Sequence, residues 1–293
     1  MSALRLALAQ YPITAPPNLE VFWAKIDAVL GDARAGGAEL LVLPEYASME
    51  VAACFPGAGT PPAELQSVTE AAPALLAGFR DAARRHRLWL LPGTLPITHG
   101  NGVVNTAPLI APNGSVAVQE KRVMTRFEAE SWGVAPGAPP RVFATDWGPI
   151  GIAICYDVEF PSLVRAQAEA GAWLILAPSC TDSLHGFNRV RLSARARALE
   201  NQCYVAVAPT VGLAPTLASV DENHGYAAVF GPVDRGFPDD GVIVRGELDA
   251  AGLVFADLDP AALESVRENG AVRNFRDWPA AQAACATAFR EAT

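Results

Sequence analysis

The sequence contains no run of basic residues and has fewer cationic than anionic side chains. Its 22 lysine and arginine residues are outnumbered by 31 aspartate and glutamate residues, which gives a formal net charge of −9. Nucleic acids and anionic membrane surfaces attract clustered lysine and arginine. We therefore expect neither nucleic acid nor a membrane as a partner.

Long apolar segments are also missing. No window approaches the ~18 apolar residues of a membrane-spanning helix. The N-terminal segment MSALRLALAQYPI has a short apolar run, but Gln10 interrupts it and no small-residue cleavage site follows. This pattern favours a first strand over a secretory signal peptide.

Cysteine is sparse, and its spacing excludes two kinds of site. The five cysteines are Cys54, Cys155, Cys180, Cys203 and Cys285, and none stands in C-x-x-C spacing. An odd, scattered set argues against a disulfide framework and a zinc site and favours a reducing compartment, so we expect a cytoplasmic protein. No nucleotide, metal or serine-nucleophile motif of the G-x-x-x-x-G-K-[ST], H-E-x-x-H or G-x-S-x-G type occurs, and we predict no metal and no cofactor.

Short apolar runs alternate with helical stretches along nearly the whole chain, which indicates an α/β protein. Hydrophobic residues make up 51% of the sequence, enough for a large core. Strands are predicted at 5–10, 39–44, 88–93, 106–111, 117–123, 151–155, 173–177, 204–208 and 242–247, and helices at 18–35, 62–86, 162–171 and 187–201. No linker divides the chain, so we predict one domain over 1–265 and a C-terminal extension over 266–293.

One predicted strand ends on a single thiol. In GPIGIAICYDVEFPSLVR, an apolar run stops at Cys155 and polar residues follow. Most free cysteines pack as small hydrophobic residues, and Cys203 fits that interpretation. Cys180 also ends a strand, where α/β proteins place their sites, so position alone does not separate it from Cys155.

A nucleophilic thiol needs a group that takes its proton. Of the four histidines, only His185 follows a strand, and it lies nearer Cys180 in sequence. A Cys–His hydrolase therefore has little positive support. Two other strand ends carry Glu45, in ELLVLPEY, and Lys121, in AVQEKR; each alone is also compatible with a surface charge.

Together these segments resemble the nitrilase superfamily of carbon–nitrogen hydrolases. The matching pieces are LLVLPEY, EKRVMTRFEAESWGVAPG, GIAICYDVEFP and SARARALENQCYVAVAP. The resemblance implies that Glu45, Lys121 and Cys155 are catalytic. It implies a further site glutamate at Glu130, with Glu128 as the alternative two residues earlier.

The resemblance also implies a fold and an assembly. We expect an α-β-β-α sandwich of two packed sheets with outer helices. Subunits of this family commonly pair through helices after the nucleophile, so we predict a homodimer or larger assembly, with the extension reaching across to the partner subunit.

The residues after the cysteine indicate the substrate class. Nitrile-hydrolysing members typically continue with Trp-Glu, whereas CYDVEFP resembles the amidase-like branch. We expect hydrolysis of a small linear amide or N-carbamoyl compound through a thioester; the alternatives are a nitrilase and a catalytically silent binding or scaffold subunit. Asp157 and Glu159 are expected to be structural. The candidates for substrate contact are Tyr46, Phe127, Trp132, Tyr156, Cys180 and His185.

Overall fold

The computed structural model describes residues 2–57, 59–100 and 102–284, and these contain fifteen strands and six α-helices. The strands are β1 (Leu4–Pro12), β2 (Leu40–Leu43), β3 (Trp89–Pro92), β4 (Leu95–His99), β5 (Gly102–Ile110), β6 (Val116–Glu120), β7 (Val134–Ala135), β8 (Val142–Thr145), β9 (Gly148–Ile152), β10 (Leu174–Ser179), β11 (Tyr204–Leu213), β12 (Glu222–Asn223), β13 (Ala228–Phe230), β14 (Val242–Arg245) and β15 (Gly252–Leu258). The helices are α1 (Leu19–Ala35), α2 (Pro61–His86), α3 (Pro161–Glu169), α4 (Leu184–Asn201), α5 (Pro260–Asn269) and α6 (Asn274–Ala283).

The strands form two halves that meet at the ends of β1 and β11. One half runs β4-β5-β3-β2-β1 and the other β11-β10-β9-β8. The two halves are joined by the parallel pairing of Tyr11 with Thr210 and of Pro12 with Val211. Strand β15 pairs antiparallel with β1 from Leu4 to Gln10, before the short junction begins.

Side chains that alternate along β1 show how the layers pack. Leu6 and Leu8 belong to the core shared with β9, β10 and β11, whereas Ala7 and Ala9 belong to the core shared with α1 and α2. Because both faces of these strands are buried, their sequences are nearly continuous apolar runs. Helices α3 and α4 cover the other half, and the predicted α-β-β-α sandwich is confirmed.

Local sequence explains where the helices near the site begin. The Ser183 side chain accepts a hydrogen bond from the Gly186 N–H at 3.3 Å and caps α4. Pro61 stands in the first turn of α2, where its missing N–H costs no hydrogen bond.

Two of the differences between predicted and observed boundaries concern the site and the extension. The strand predicted at 151–155 ends at Ile152, and residues Cys155–Glu159 form a 3₁₀-helix. The predicted extension does not begin at a boundary in the structure, because helix α5 crosses residue 265. A second helix, α6, follows α5 in the extension. The guanidinium of Arg165 stacks on Phe275, so α6 packs on its own chain; its packing on a partner subunit stays a prediction. Residues 285–293, including Cys285, lie outside the described residues.

No helix in the described part of the chain is long and apolar enough to cross a membrane.

Candidate active site

A cavity of about 590 Å³ opens where strand ends from the two halves of the sheet meet. Glu45, Lys121, Glu128 and Cys155 line it together, although they come from four separate segments. A thiol, an ammonium group and two carboxylates thus meet around one cavity.

Glu45 reaches the cavity directly from the end of β2. Pro44 follows the strand, and Tyr46 adopts a left-handed backbone conformation with φ 57° that turns the chain sharply. Gly93 packs against this turn with φ +78°, and a Cβ atom there would lie 1.8 Å from the Pro44 carbonyl oxygen. Only glycine allows this close approach.

Lys121 follows β6 and is fully buried, so its charge must be matched locally. Its Nζ atom lies 2.7 Å from Glu45 Oε1 and 2.7 Å from Glu128 Oε2. The Asn105 side chain donates to Glu45 at 3.0 Å and to Glu128 at 3.3 Å, and the Tyr46 hydroxyl donates to Glu128 at 2.7 Å. Nearly every oxygen of the pair of carboxylates is thus engaged.

Cys155 begins the 3₁₀-helix in a left-handed conformation with φ 46°. Such a conformation is strained for a residue with a Cβ atom, and strain of this kind is concentrated at functional sites. Asp157 stabilises the turn by accepting hydrogen bonds from the Arg122 N–H at 3.1 Å and the Val123 N–H at 2.8 Å. This link ties the segment after Lys121 to the segment after Cys155, and it gives Asp157 the structural role expected from the sequence.

The backbone of Cys180 contacts both Glu45 and Cys155. Its N–H donates to Glu45 Oε2 at 3.1 Å, and its carbonyl oxygen accepts from Cys155 Sγ at 3.6 Å. The Glu45 carboxylate is also near enough to Cys155 to raise the pKa of its thiol. The backbone of Cys180 therefore positions both the carboxylate and the thiol.

Burial and charge set the protonation of the two carboxyl groups differently. Burial, together with the nearby Glu128 carboxylate, raises the pKa of Glu45 to about 7 although Lys121 opposes the shift. Burial acts in the same direction on Glu128, but Lys121 and the hydrogen bonds from Thr125 and Tyr46 hold its pKa below the ordinary value. The structure thus provides one permanently ionised carboxylate and one that can exchange a proton near neutral pH.

The cation and the thiol complete this pattern. Burial would lower the pKa of Lys121, but Glu45 and Glu128 outweigh it and raise the pKa, so the ammonium group stays charged. Burial and the Glu45 carboxylate raise the pKa of Cys155 well above its ordinary value. The structure therefore holds a neutral thiol near a carboxylate that can take its proton.

The carboxylate that contacts Lys121 is Glu128, not Glu130, and the expectation for Glu130 is corrected here. Residues Glu128–Trp132 form a π-helical turn that directs Glu128 inward. Glu130 is exposed and forms a bidentate pair with Arg126, with distances of 2.9 and 3.0 Å. An exposed, neutralised carboxylate cannot act on the buried ammonium group.

Five of the six residues predicted to contact substrate line the cavity: Tyr46, Phe127, Trp132, Tyr156 and Cys180. His185 does not, because its side chain is exposed in the first turn of α4. Asn105 was not predicted as a site residue, because the only indication in the sequence is one amide side chain inside the apolar strand β5. Arg189 on α4 and the segment 218–222, which form part of the cavity wall, were not predicted either.

Within the described residues, no group of three or more His, Cys, Asp or Glu side chains is arranged to hold a metal ion.

A comparison with known families identifies the chain. The model of the carbon–nitrogen hydrolase family matches residues 5–268. The chain belongs to the carbon–nitrogen hydrolase family. The predictions of a nitrilase-superfamily member and of an amidase-type carbon–nitrogen hydrolase are confirmed.

Individual members of the family share modest identity with the chain. A probable hydrolase, YhcX, of Bacillus subtilis is 31% identical over 94% of the chain, which spans only 53% of that relative's length. A deaminated glutathione amidase of Synechocystis is 29% identical, with 89% of the chain and 94% of the relative covered. A mutant of an amidase from Nesterenkonia sp., with the acetamide moiety of fluoroacetamide attached to its active-site cysteine, is 27% identical with a TM-score of 0.72, and the match covers 96% of this chain and 95% of that one.

Proposed function

We propose that this hydrolase cleaves the C–N bond of a small linear amide or N-carbamoyl compound through a thioester on Cys155. One observation carries the proposal: Lys121 lies 2.7 Å from Glu45 on the floor of the cavity that Cys155 also lines. The covalent adduct on the active-site cysteine of the Nesterenkonia amidase supports it.

In the first step, the Cys155 sulfur attacks the amide carbonyl carbon while Glu45 takes the thiol proton. The carbonyl π-electrons move to oxygen and form an oxyanion. Lys121 and the backbone N–H of Tyr156 are the proposed donors to it, and one such donor contributes about 3–4 kcal/mol. Glu45 suits this role because a base with a pKa of about 7 is half ionised at neutral pH.

In the second step, Glu45 returns the proton to the leaving nitrogen, the C–N bond breaks and ammonia or an amine departs. The acyl group stays on Cys155 as a thioester. Water then attacks the thioester carbonyl while Glu45 takes one of its protons. The C–S bond breaks, a carboxylic acid leaves, and Glu45 returns the proton to the Cys155 sulfur. Glu128 holds Lys121 charged and in place throughout.

The cavity volume agrees with a small substrate. About 590 Å³ lies within the range of about 300–1,000 Å³ that is typical of small-molecule sites. The wall includes Met124, Trp132 and Val220, which suit an aliphatic chain.

The test is ammonia release from matched amides and nitriles, combined with intact mass spectrometry. We expect turnover of an aliphatic amide and an acyl or alkyl adduct on Cys155, both lost in Cys155→Ala and both retained in Cys54→Ala. Turnover of the nitrile but not the amide would support a nitrilase instead. An unreactive Cys155 would indicate a silent binding subunit.

We further propose a homodimer or larger assembly in the cytoplasm. The helices after the nucleophile, α3 and α4, are the proposed interface. The outer side of α4 exposes Leu192 and Leu199, which supports the proposal. A monomeric mass in analytical ultracentrifugation at micromolar concentration would contradict the assembly.

A further inference from the structure

The wall of the cavity carries more negative than positive charge. Six carboxylates and three cationic side chains line it. Glu45, Lys121 and Glu128 are the buried catalytic cluster. Above them, the charged residues are Glu159, Asp182, Asp221 and Glu222 against Arg126 and Arg189.

Carboxylates already engage both wall arginines. Arg126 pairs with Glu130 at 2.9 Å and is 88% exposed, so its charge lies in solvent. Arg189 Nε lies 3.6 Å from Glu159 Oε1, longer than a direct hydrogen bond. Asp182 and Asp221 pair with no cationic side chain of the described residues, whereas Glu222 bonds to His224. The wall thus attracts a cation and repels an anion.

Glu159 is the wall carboxylate best placed to contact a substrate. It ends the 3₁₀-helix that Cys155 begins, and a rise of about 2 Å per residue sets the two backbones about 8 Å apart. Its side chain is 17% exposed, so a cation beside it would be partly shielded from water. A partly buried carboxylate with one loosely held partner is available to a ligand.

Apolar side chains line the same cavity as Cys155 and Glu159. Met124, Trp132 and Val190 border it together with Cys155 and Glu159. Methylene groups fit against such a surface, and their burial contributes about 0.8 kcal/mol each.

From this arrangement we infer that the substrate is an amide with a terminal ammonium group on a short methylene chain, and that Glu159 accepts a charge-assisted hydrogen bond from it. The inference rests on the proposed function and adds the substrate's charge to it. Asp182 and Asp221 contribute attraction at longer range, and Arg189 competes with the substrate for Glu159.

Three amides of matched length test the inference: 5-aminopentanamide, pentanamide and glutaramate. We expect kcat/KM to fall in that order at low ionic strength. The ratio for 5-aminopentanamide over pentanamide should shrink at high salt, because added ions screen the wall charges.

Two variants test whether the ratio of kcat/KM for 5-aminopentanamide over pentanamide depends on Glu159 and Arg189. Glu159→Gln should lower the ratio about tenfold, as expected for loss of one hydrogen bond to a charged group. Arg189→Gln should raise it, because Glu159 then has no competing cation. Glu268→Gln removes an exposed carboxylate far from the cavity wall and should leave the ratio unchanged.

The outcomes separate the inference from the proposed function. Hydrolysis of glutaramate in preference to 5-aminopentanamide, lost in Arg189→Gln, would overturn the inference and leave the amidase proposal standing. A ratio near one that neither variant changes would also overturn it. No turnover of any of the three amides, with no adduct on Cys155, would overturn both.

Discussion

The backbone N–H of Cys180 donates to the Glu45 carboxylate across 3.1 Å, although 135 residues separate the two in sequence. The carbonyl of the same residue accepts from the Cys155 thiol. The proposed base and the proposed nucleophile are therefore both held by the backbone of a residue that directly follows a central strand. A rigid strand end gives the catalytic pair its geometry before substrate binds.

The pH profile should report Glu45. Its pKa is raised to about 7, and it must be ionised to take the thiol proton, so kcat/KM should rise with pH and reach half its plateau near pH 7. Because the pKa of Cys155 is raised well above its ordinary value, no further rise from thiol ionisation is expected below pH 9. Initial rates with a neutral amide from pH 5 to 9 measure this. A midpoint near pH 4.5 would mean that Glu45 is not the base.

Glu128 and Glu130 form a matched pair for mutation. Glu128→Gln removes a charge that raises the pKa of Glu45, so the acid limb should move to lower pH, and kcat should fall by about 100-fold as Lys121 loses a partner. Glu130→Gln changes only an exposed pair with Arg126 and should alter kcat less than twofold. Equal losses in the two variants would argue against the assignment of Glu128.

Glu64 should affect substrate binding at the cavity wall rather than the bond-breaking steps. Its fully buried carboxylate accepts hydrogen bonds from the Ala218 and Ser219 N–H groups at 2.8 Å each and holds the loop that lines the cavity. Gln can accept only one of the two, so Glu64→Gln should raise KM severalfold with little change in kcat. Glu70→Gln, on the exposed side of α2, is the control. A selective loss of kcat would contradict this role.

Gly93 should be far less replaceable than Gly37. Both have φ near +80°, where alanine costs about 1–2 kcal/mol, but only at Gly93 would the Cβ atom meet the Pro44 carbonyl, at 1.8 Å. Gly93→Ala should therefore destabilise the fold by about 3 kcal/mol or more and lower kcat, because Pro44 precedes Glu45. Urea unfolding of both variants measures the difference. Similar midpoints would show that the backbone relaxes at no cost.

The sequence predicted the parts of the fold that depend on burial of strands. Parallel strands covered on both faces give apolar runs, and their ends located Glu45 and Cys155 without coordinates. Strand β15 was missed because one side of its sequence, GLVFADL, is half exposed. The 3₁₀-helix at Cys155 was missed because a left-handed cysteine has no local sequence signal.

The choice between Glu128 and Glu130 shows a different limit. The two residues share a segment, and only the π-helical turn decides which one points to Lys121. A local hydrogen bond from the Thr125 N–H and a tertiary one from the Tyr46 hydroxyl hold the Glu128 carboxylate in this position. The prediction that His185 contacts the substrate is not supported for a related reason. The residue at which α4 begins determines which of its side chains face the cavity.

Most wall charges belong to other elements than the proposed reacting groups; Glu159, on the 3₁₀-helix that Cys155 begins, is the exception. The thiol, the ammonium and the base follow strand ends. Asp182 and Arg189 lie on the segment 182–189, which leads into α4, and Asp221 lies on the segment 218–222. Such a division lets selection or a designer retune what enters the pocket while bond cleavage stays intact. Laboratory evolution toward new amides should accordingly accumulate its first changes on those two wall segments.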